Sequence, residues 1–394
     1  MPLGFRFLTR RSLGKVPPPL PLGLIGAVLL AIACESVVAR HRSIFMSSHE
    51  LDWNAAARDA SGPFVRNAEV LLLGDSMVKF GLNPRVLQAH LGRRVYGLAL
   101  LNGRPGASYF LLRRAIEAGA RPKLVVVDYQ PECMFEKTPH LLDQREWKGL
   151  LSPRECLDLG LAHRDPIFLA RAALACALPS YRCRGEIRRA VLADLQGQPR
   201  PNVEENAKVG RNRTVNRGGM VLAPAPDYQG DVPPTTMRIV ANPDWFGRPD
   251  NVIYIHRLLN LAREHDVRVV WLLPPNVPAV EAQRERLGVA ERYTRFIRAV
   301  RARHPHLDVL DARGAGFGHS LFVDAVHLNR DGSAELSRGV ADVLRGWLGD
   351  EDAPARWAVV EGPRGTGPAE AAAVALEDVE QSRAAIAAGA ALRR

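Results

Sequence analysis

The chain has 394 residues, 47% of them hydrophobic, and a formal net charge of +11. That is enough apolar material for a sizeable core, in one domain or two. The positive charge is mostly Arg and is scattered, with no basic patch, helix-turn-helix or finger spacing, so a nucleic-acid reader is disfavoured, while an anionic membrane surface or envelope polymer fits.

The N-terminus carries Arg6, Arg10, Arg11 and Lys15 ahead of an apolar run over residues 20–33. Counted from Val16 to Ala39, the stretch reaches the length of a membrane span, with Glu35 near its outer end. A basic flank before the run predicts that the N-terminus stays inside and the remainder is exported. A signal anchor over residues 1–40 is the favoured reading. A cleaved signal peptide and a lipoprotein signal ending at Ala31-Ile32-Ala33-Cys34 are the rivals.

From residue 65 to 349 the pattern alternates between strand-like and helix-like segments. Residues 68–74 form a short apolar run ending at Gly74, as expected of a strand buried on both faces. Asn83 and Pro84 read as cap and first turn of a helix. Residues 95–101 are a second strand, 107–118 a helix, and 123–128 a third strand. Residues 251–265 are a helix, 267–273 a fourth strand, 281–303 a charged helix, 307–310 a fifth strand and 331–348 a closing helix. This alternation predicts an α/β fold with a parallel sheet covered on both faces.

Residues 131–250 break the rhythm and read as an insertion over the site, with a helix at 166–178 and an irregular stretch over 196–249. Residues 350–394 are rich in Ala, Gly and Pro and are expected to be poorly ordered, with a solvated helix possible at 369–392. The five cysteines, Cys34, Cys133, Cys156, Cys176 and Cys183, form no CxxC pair and have no zinc-type His spacing. Cys176 and Cys183 are the nearest pair for a disulfide if the domain is exported. There is no Walker loop, HExxH or G-x-G-x-x-G, so neither a cofactor nor a metal is expected. Gly314-x-Gly316-x-Gly318 reads as a flexible turn, and Asn212-Arg213-Thr214 matches a glycosylation sequon.

Ligands of a parallel sheet bind at the carboxyl ends of its strands. Gly74-Asp75-Ser76 follows the first strand, and a Ser there needs a base to become a nucleophile. Asp324 and His327 lie three residues apart just before the last helix. A carboxylate bonded to one ring nitrogen leaves the other free to take a serine proton. The ordinary alternatives are a capping Asp and a surface imidazole.

These two motifs together resemble the GDSL or SGNH hydrolase superfamily, over roughly residues 68–347 apart from the insertion. The resemblance implies a flavodoxin-like three-layer α/β/α fold, with Ser76 as nucleophile, His327 as base and Asp324 as its partner. The elbow G-x-S-x-G of common α/β-hydrolases is absent. The family's second block supplies an oxyanion-binding glycine. In Asn102-Gly103-Arg104-Pro105-Gly106 the choice falls on Gly106, with Gly103 as rival. The third block departs from the family's G-x-N-D. Here it reads Asp128-Tyr129-Gln130-Pro131, so Gln130 stands where an Asn amide is expected, and Gly106, Gln130 and Asp75 form the expected oxyanion and substrate group. The departure resembles a membrane-linked branch that includes alginate and teichoic-acid acyl-transfer proteins.

The expectation is a serine ester hydrolase acting outside the cytoplasm. The alternatives are an O-acyltransferase that modifies an envelope polysaccharide with a membrane acyl-donor partner, and a catalytically weak envelope-binding module.

Overall fold

The computed structural model describes residues 22–41, 46–135, 145–198, 203–349 and 354–365. Three helices come first: α1 (Leu22–Arg40), α2 (Ser48–Asp59) and α3 (Pro63–Arg66). The sheet begins with β1 (Val70–Gly74), followed by α4 (Ser76–Gly81) and α5 (Pro84–Leu91). Next come β2 (Val95–Gly97), α6 (Pro105–Glu117) and β3 (Leu124–Asp128). A helical excursion then runs through α7 (Pro131–Phe135), α8 (Arg145–Leu150), α9 (Pro153–His163) and α10 (Pro166–Ala177). It continues through α11 (Pro179–Arg182), α12 (Arg184–Leu195), α13 (Val203–Val215) and α14 (Pro234–Val240). The chain returns by α15 (Pro249–Glu264) to β4 (Arg268–Leu273), then α16 (Pro278–Arg286), α17 (Val289–Arg303) and β5 (Leu307–Asp311). It closes with α18 (Arg330–Trp347) and β6 (Trp357–Val359).

The six strands form one parallel sheet in the order β2-β1-β3-β4-β5-β6. The central strands β1 and β3 are buried along their whole length, which is why both read as unbroken Leu and Val runs. Alternate residues serve opposite faces. Leu71, Leu73, Val125 and Val127 pack with Phe110 of α6, Leu258 of α15 and Ile297 of α17. Val70, Leu72 and Val126 pack with Leu87 of α5 and Leu336, Val340 and Leu344 of α18. The fold is therefore α/β, with helices on both faces of a parallel sheet.

Four expectations change. The second strand is shorter than 95–101: it ends at Gly97, whose N–H turns away to the carbonyl of Arg217 in the excursion. The charged helix at 281–303 is two helices, because Gly288 adopts a left-handed φ of 67° between them. The stretch 196–249 contains the helices α13 and α14. The former escaped the apolar pattern because its buried face is polar, with Asn206, Asn212 and Arg213 inside. The C-terminal segment is not wholly unstructured, since β6 pairs with β5 and buries Val360 beside it. The basic flank before residue 22, the expected helix at 369–392 and the side chain of Cys176 lie outside the described residues.

The N-terminal helix α1 has no buried residue and is long and apolar enough to cross a membrane. Its 19 residues span about 28 Å at 1.5 Å per residue.

Candidate active site

β1 ends at Gly74, where φ is +129° and an added Cβ would lie 2.4 Å from the carbonyl oxygen of Asp128 on β3. Only glycine lets the two backbones approach so closely there. The next residue, Asp75, caps α4: its Oδ1 accepts the N–H of Met77 at 2.8 Å. Its Oδ2 accepts the N–H of Gln130 at 2.9 Å, across to the loop after β3. Ser76 is thereby set as the first residue of α4, at the carboxyl end of a central strand.

The segment between β5 and α18 brings the other two residues to it. A single antiparallel bridge joins Phe322 and Leu328, and the N–H of Val323 donates to the carbonyl of His327 at 2.9 Å. Asn329 caps α18 through the N–H groups of Asp331 and Gly332, while its own amide donates to the carbonyl of Ser320. Within this frame Asp324 Oδ1 accepts the N–H groups of Val326 (2.9 Å) and His327 (2.8 Å).

Asp324 Oδ2 lies 2.8 Å from His327 Nδ1, and His327 Nε2 lies 2.8 Å from Ser76 Oγ. An ionised carboxylate only accepts, so Nδ1 carries a proton and Nε2 is free to accept from the serine hydroxyl. Phe80 of α4 holds the imidazole edge-on, with ring centroids 5.2 Å apart. Partial burial pulls the Asp324 carboxyl upward. The His327 ring and the backbone N–H groups outweigh that pull and hold it below the usual carboxylate range. The relay faces solvent: the Asp324 side chain is 52% exposed and that of His327 23%.

Gly106, Gln130 and Asp75 occupy three different settings. Gly106 is the second residue of α6, and an added Cβ there would meet Trp147 and Tyr254. Its rival Gly103 is the glycine beside the turn: a Cβ there would lie 2.2 Å from the carbonyl oxygen of Gly74 and 3.2 Å from the Cα of Asp75. The Gly103 N–H donates to the carbonyl of Leu100 at 3.1 Å, closing the turn before α6. Gln130 is buried, and its side-chain oxygen has no hydrogen-bond partner. It lines a cavity with Asp128, Glu281, Arg284, Tyr293 and Arg313, which neither Ser76 nor His327 lines. Among the described residues, no hydrogen bond joins Gly106 or the Gln130 side chain to Ser76, His327 or Asp324. The carboxylate of Asp75 lies behind the turn, taken up by two backbone N–H groups and the thiol of Cys133.

A buried charge cluster supports α4 from below and left no sequence signal, because its members are far apart in the chain. Lys79, three residues after Ser76, pairs with Asp52 of α2 at 2.6 Å. Its ammonium also donates to the carbonyls of Ala99 and Gly218. Arg213 of α13 pairs with the same Asp52 at 2.9 Å and with Asp59 at 2.7 Å. Burial pushes Lys79 down to about 8, against the pull of Asp52.

Asp128, at the end of β3, is fully buried with neither oxygen bonded. Burial, reinforced by the neighbouring Asp75 and Glu132, raises it well above the usual carboxylate value. Among the described residues no group of three or more His, Cys, Asp or Glu is placed to hold a metal ion. No family model matches this chain, and no curated protein matches it.

Proposed function

We propose that this chain is a serine-dependent ester hydrolase that acts outside the cytoplasm through an acyl-enzyme on Ser76. The observation that carries the reading is the continuous relay from Asp324 through His327 to Ser76, with 2.8 Å at each junction. Such geometry is what an activated serine requires. It joins residues 251 positions apart in sequence, at the carboxyl end of the sheet where parallel α/β folds bind ligands.

In the proposed cycle Ser76 Oγ attacks the ester carbonyl as its proton passes to His327 Nε2. The imidazolium that forms is stabilised by the Asp324 carboxylate. The first-turn N–H groups of a helix have no intrahelical partner. Asp75 takes that of Met77, and the Ser76 N–H serves the oxyanion, aided by the helix terminus. Collapse of the tetrahedral intermediate breaks the ester C–O bond, and His327 returns the proton to the leaving alkoxide. Water, deprotonated by His327, then releases the acid and regenerates Ser76.

A second reading is O-acyl transfer, in which a polysaccharide hydroxyl replaces water. One contact favours it. The Glu35 carboxylate of α1 accepts the N–H of Ser180 in α11 at 2.7 Å, which sets the excursion beside a helix able to span a membrane. A membrane-borne acyl donor would be within reach of such an arrangement.

The test is turnover of short and long acyl esters by the full chain, with and without a glycan acceptor. The hydrolase reading expects acid release that is lost in Ser76→Ala and His327→Ala. Acyl-glycan formed at the expense of free acid would move the assignment to transfer. A folded wild type that turns over neither would leave a binding module.

A further inference from the structure

Among the described residues, most of the large apolar side chains that stay exposed outside α1 lie on α9, α10 with its cap, and α12. On α9, Leu157 and Leu161 are exposed four residues apart, on one face, with exposed Arg154 and Arg164 at either end. On α10 and its cap, Ile167, Leu174 and Leu178 recur at helical spacing, with Ala170 exposed among them. On α12, Val191 and Leu195 share a face behind exposed Arg184 and Arg188, and Leu195 is 78% exposed. The three helices are neighbours: α10 packs against both α9 and α11, and α11 against α12. A soluble surface rarely leaves this much apolar area uncovered.

What lies next to the patch identifies its occupant. α11 packs against α1, and the Glu35 carboxylate takes both the N–H and the hydroxyl of Ser180. Glu35 lies five residues before Arg40, the basic end of α1. At 1.5 Å per residue that is about 7–8 Å along the helix axis. Amphipathic helices at a bilayer surface bury their apolar faces about 5–10 Å below the headgroup boundary. With Arg40 at the headgroup boundary the contact would sit at interfacial depth, where an acidic side chain in an apolar helix needs a polar partner. At the same junction Tyr181 lies between two cations, Lys148 and Arg184, 5.3 and 4.7 Å from its ring. Tyr with flanking basic residues is the composition of a membrane interface.

We propose that α9, α10 and α12 dock on the surface of the bilayer that α1 crosses, apolar stripes in the acyl boundary and arginines among anionic headgroups. This rests on α1 being a membrane span. Docking beside the anchor turns a tethered domain into an oriented one, with Ser76 held at a constant height above the lipid.

The test uses the full chain in liposomes of phosphatidylcholine and phosphatidylglycerol, with and without brominated acyl chains. Tryptophan is introduced singly as Leu161→Trp, Ile167→Trp or Leu195→Trp. Leu29→Trp reports on α1, and Val359→Trp on the far edge strand reports on water. The proposal expects the added emission at the three patch positions to shift blue and to be quenched by brominated lipid, as at Leu29→Trp, with Val359→Trp unchanged. Quenching at Leu29→Trp with none at the patch positions would overturn lipid docking and leave the surface to a protein partner. No quenching at Leu29→Trp would overturn the anchor and the docking together.

Discussion

The carboxylate of Asp75 accepts the backbone N–H of Gln130 at 2.9 Å, and so ties the nucleophile's turn to the loop after the neighbouring strand. Its other oxygen caps the helix that Ser76 begins. Asp75→Ala removes both ties. Loss of such a cap costs about 0.5–2 kcal/mol of stability. Misplacing a nucleophile by about 1 Å lowers rate on the order of 10²-fold. The expected outcome is a fall in kcat with KM little changed, and partial recovery in Asp75→Asn, whose amide oxygen still accepts one N–H. Steady-state kinetics on a short acyl ester, with urea unfolding in parallel, check this.

Gly74 and Gly103 interlock, and the site depends on neither having a side chain. A Cβ at Gly103 would lie 2.2 Å from the carbonyl of Gly74, and one at Gly74 2.4 Å from that of Asp128. Gly106, by contrast, has its nearest neighbours at 3.4 Å or beyond. Gly103→Ala and Gly74→Ala are expected to abolish turnover and lower the melting temperature, while Gly106→Ala retains most of both. Thermal unfolding and ester turnover of the three variants separate these outcomes.

Gln130 stands where an oxyanion-binding amide is expected by family resemblance, yet its side-chain oxygen is buried without a partner, in a cavity apart from the triad. Removal of a true oxyanion donor lowers kcat about 10²–10³-fold. Gln130→Ala is expected to lower it far less, because its backbone N–H, which holds Asp75, survives the substitution. A loss in the full range would return the side chain to the oxyanion site.

Lys79 makes stability depend on pH in a defined window. Burial, the largest influence, holds its folded-state value down to about 8 despite the attraction of Asp52. An unfolded lysine keeps its proton to about 10.4. Between these values the unfolded chain binds a proton that the folded chain has released, so this site's contribution to stability rises with pH. The stability difference between wild type and Lys79→Met, measured by urea unfolding from pH 7 to 10.5, is expected to shift in favour of wild type across that window. At neutral pH, Asp52→Asn leaves Lys79 and Arg213 buried without their shared carboxylate, a loss of about 3–5 kcal/mol.

Much of the sheet was legible because its strands are short, doubly buried and bounded by Gly or Pro, as in 70–74 and 124–128. The edge strand Val95–Gly97 was overestimated, since its apolar run continues into a turn. β6 was missed because three residues between Pro- and Gly-rich segments carry no period. Ser76, Asp324 and His327 stood out by type and spacing, and the structure sets Ser76 and Asp324 each within hydrogen-bond reach of His327. In the second block the close approach of Gly103 to Gly74 exists only in three dimensions and left no sequence signal, while Gly106 lies in the first turn of α6. The cluster of Asp52, Lys79 and Arg213 was invisible for the same reason: its members meet across 27 and 161 residues of chain.

The central claim is an activated nucleophile at Ser76, and a fluorophosphonate probe reads it directly. Mass spectrometry of the labelled full chain is expected to find one adduct, on the peptide containing Ser76. The adduct should be absent in Ser76→Ala, strongly reduced in His327→Ala and slowed in Asp324→Asn. A folded wild type with no adduct, or an adduct that persists in Ser76→Ala, would contradict the account.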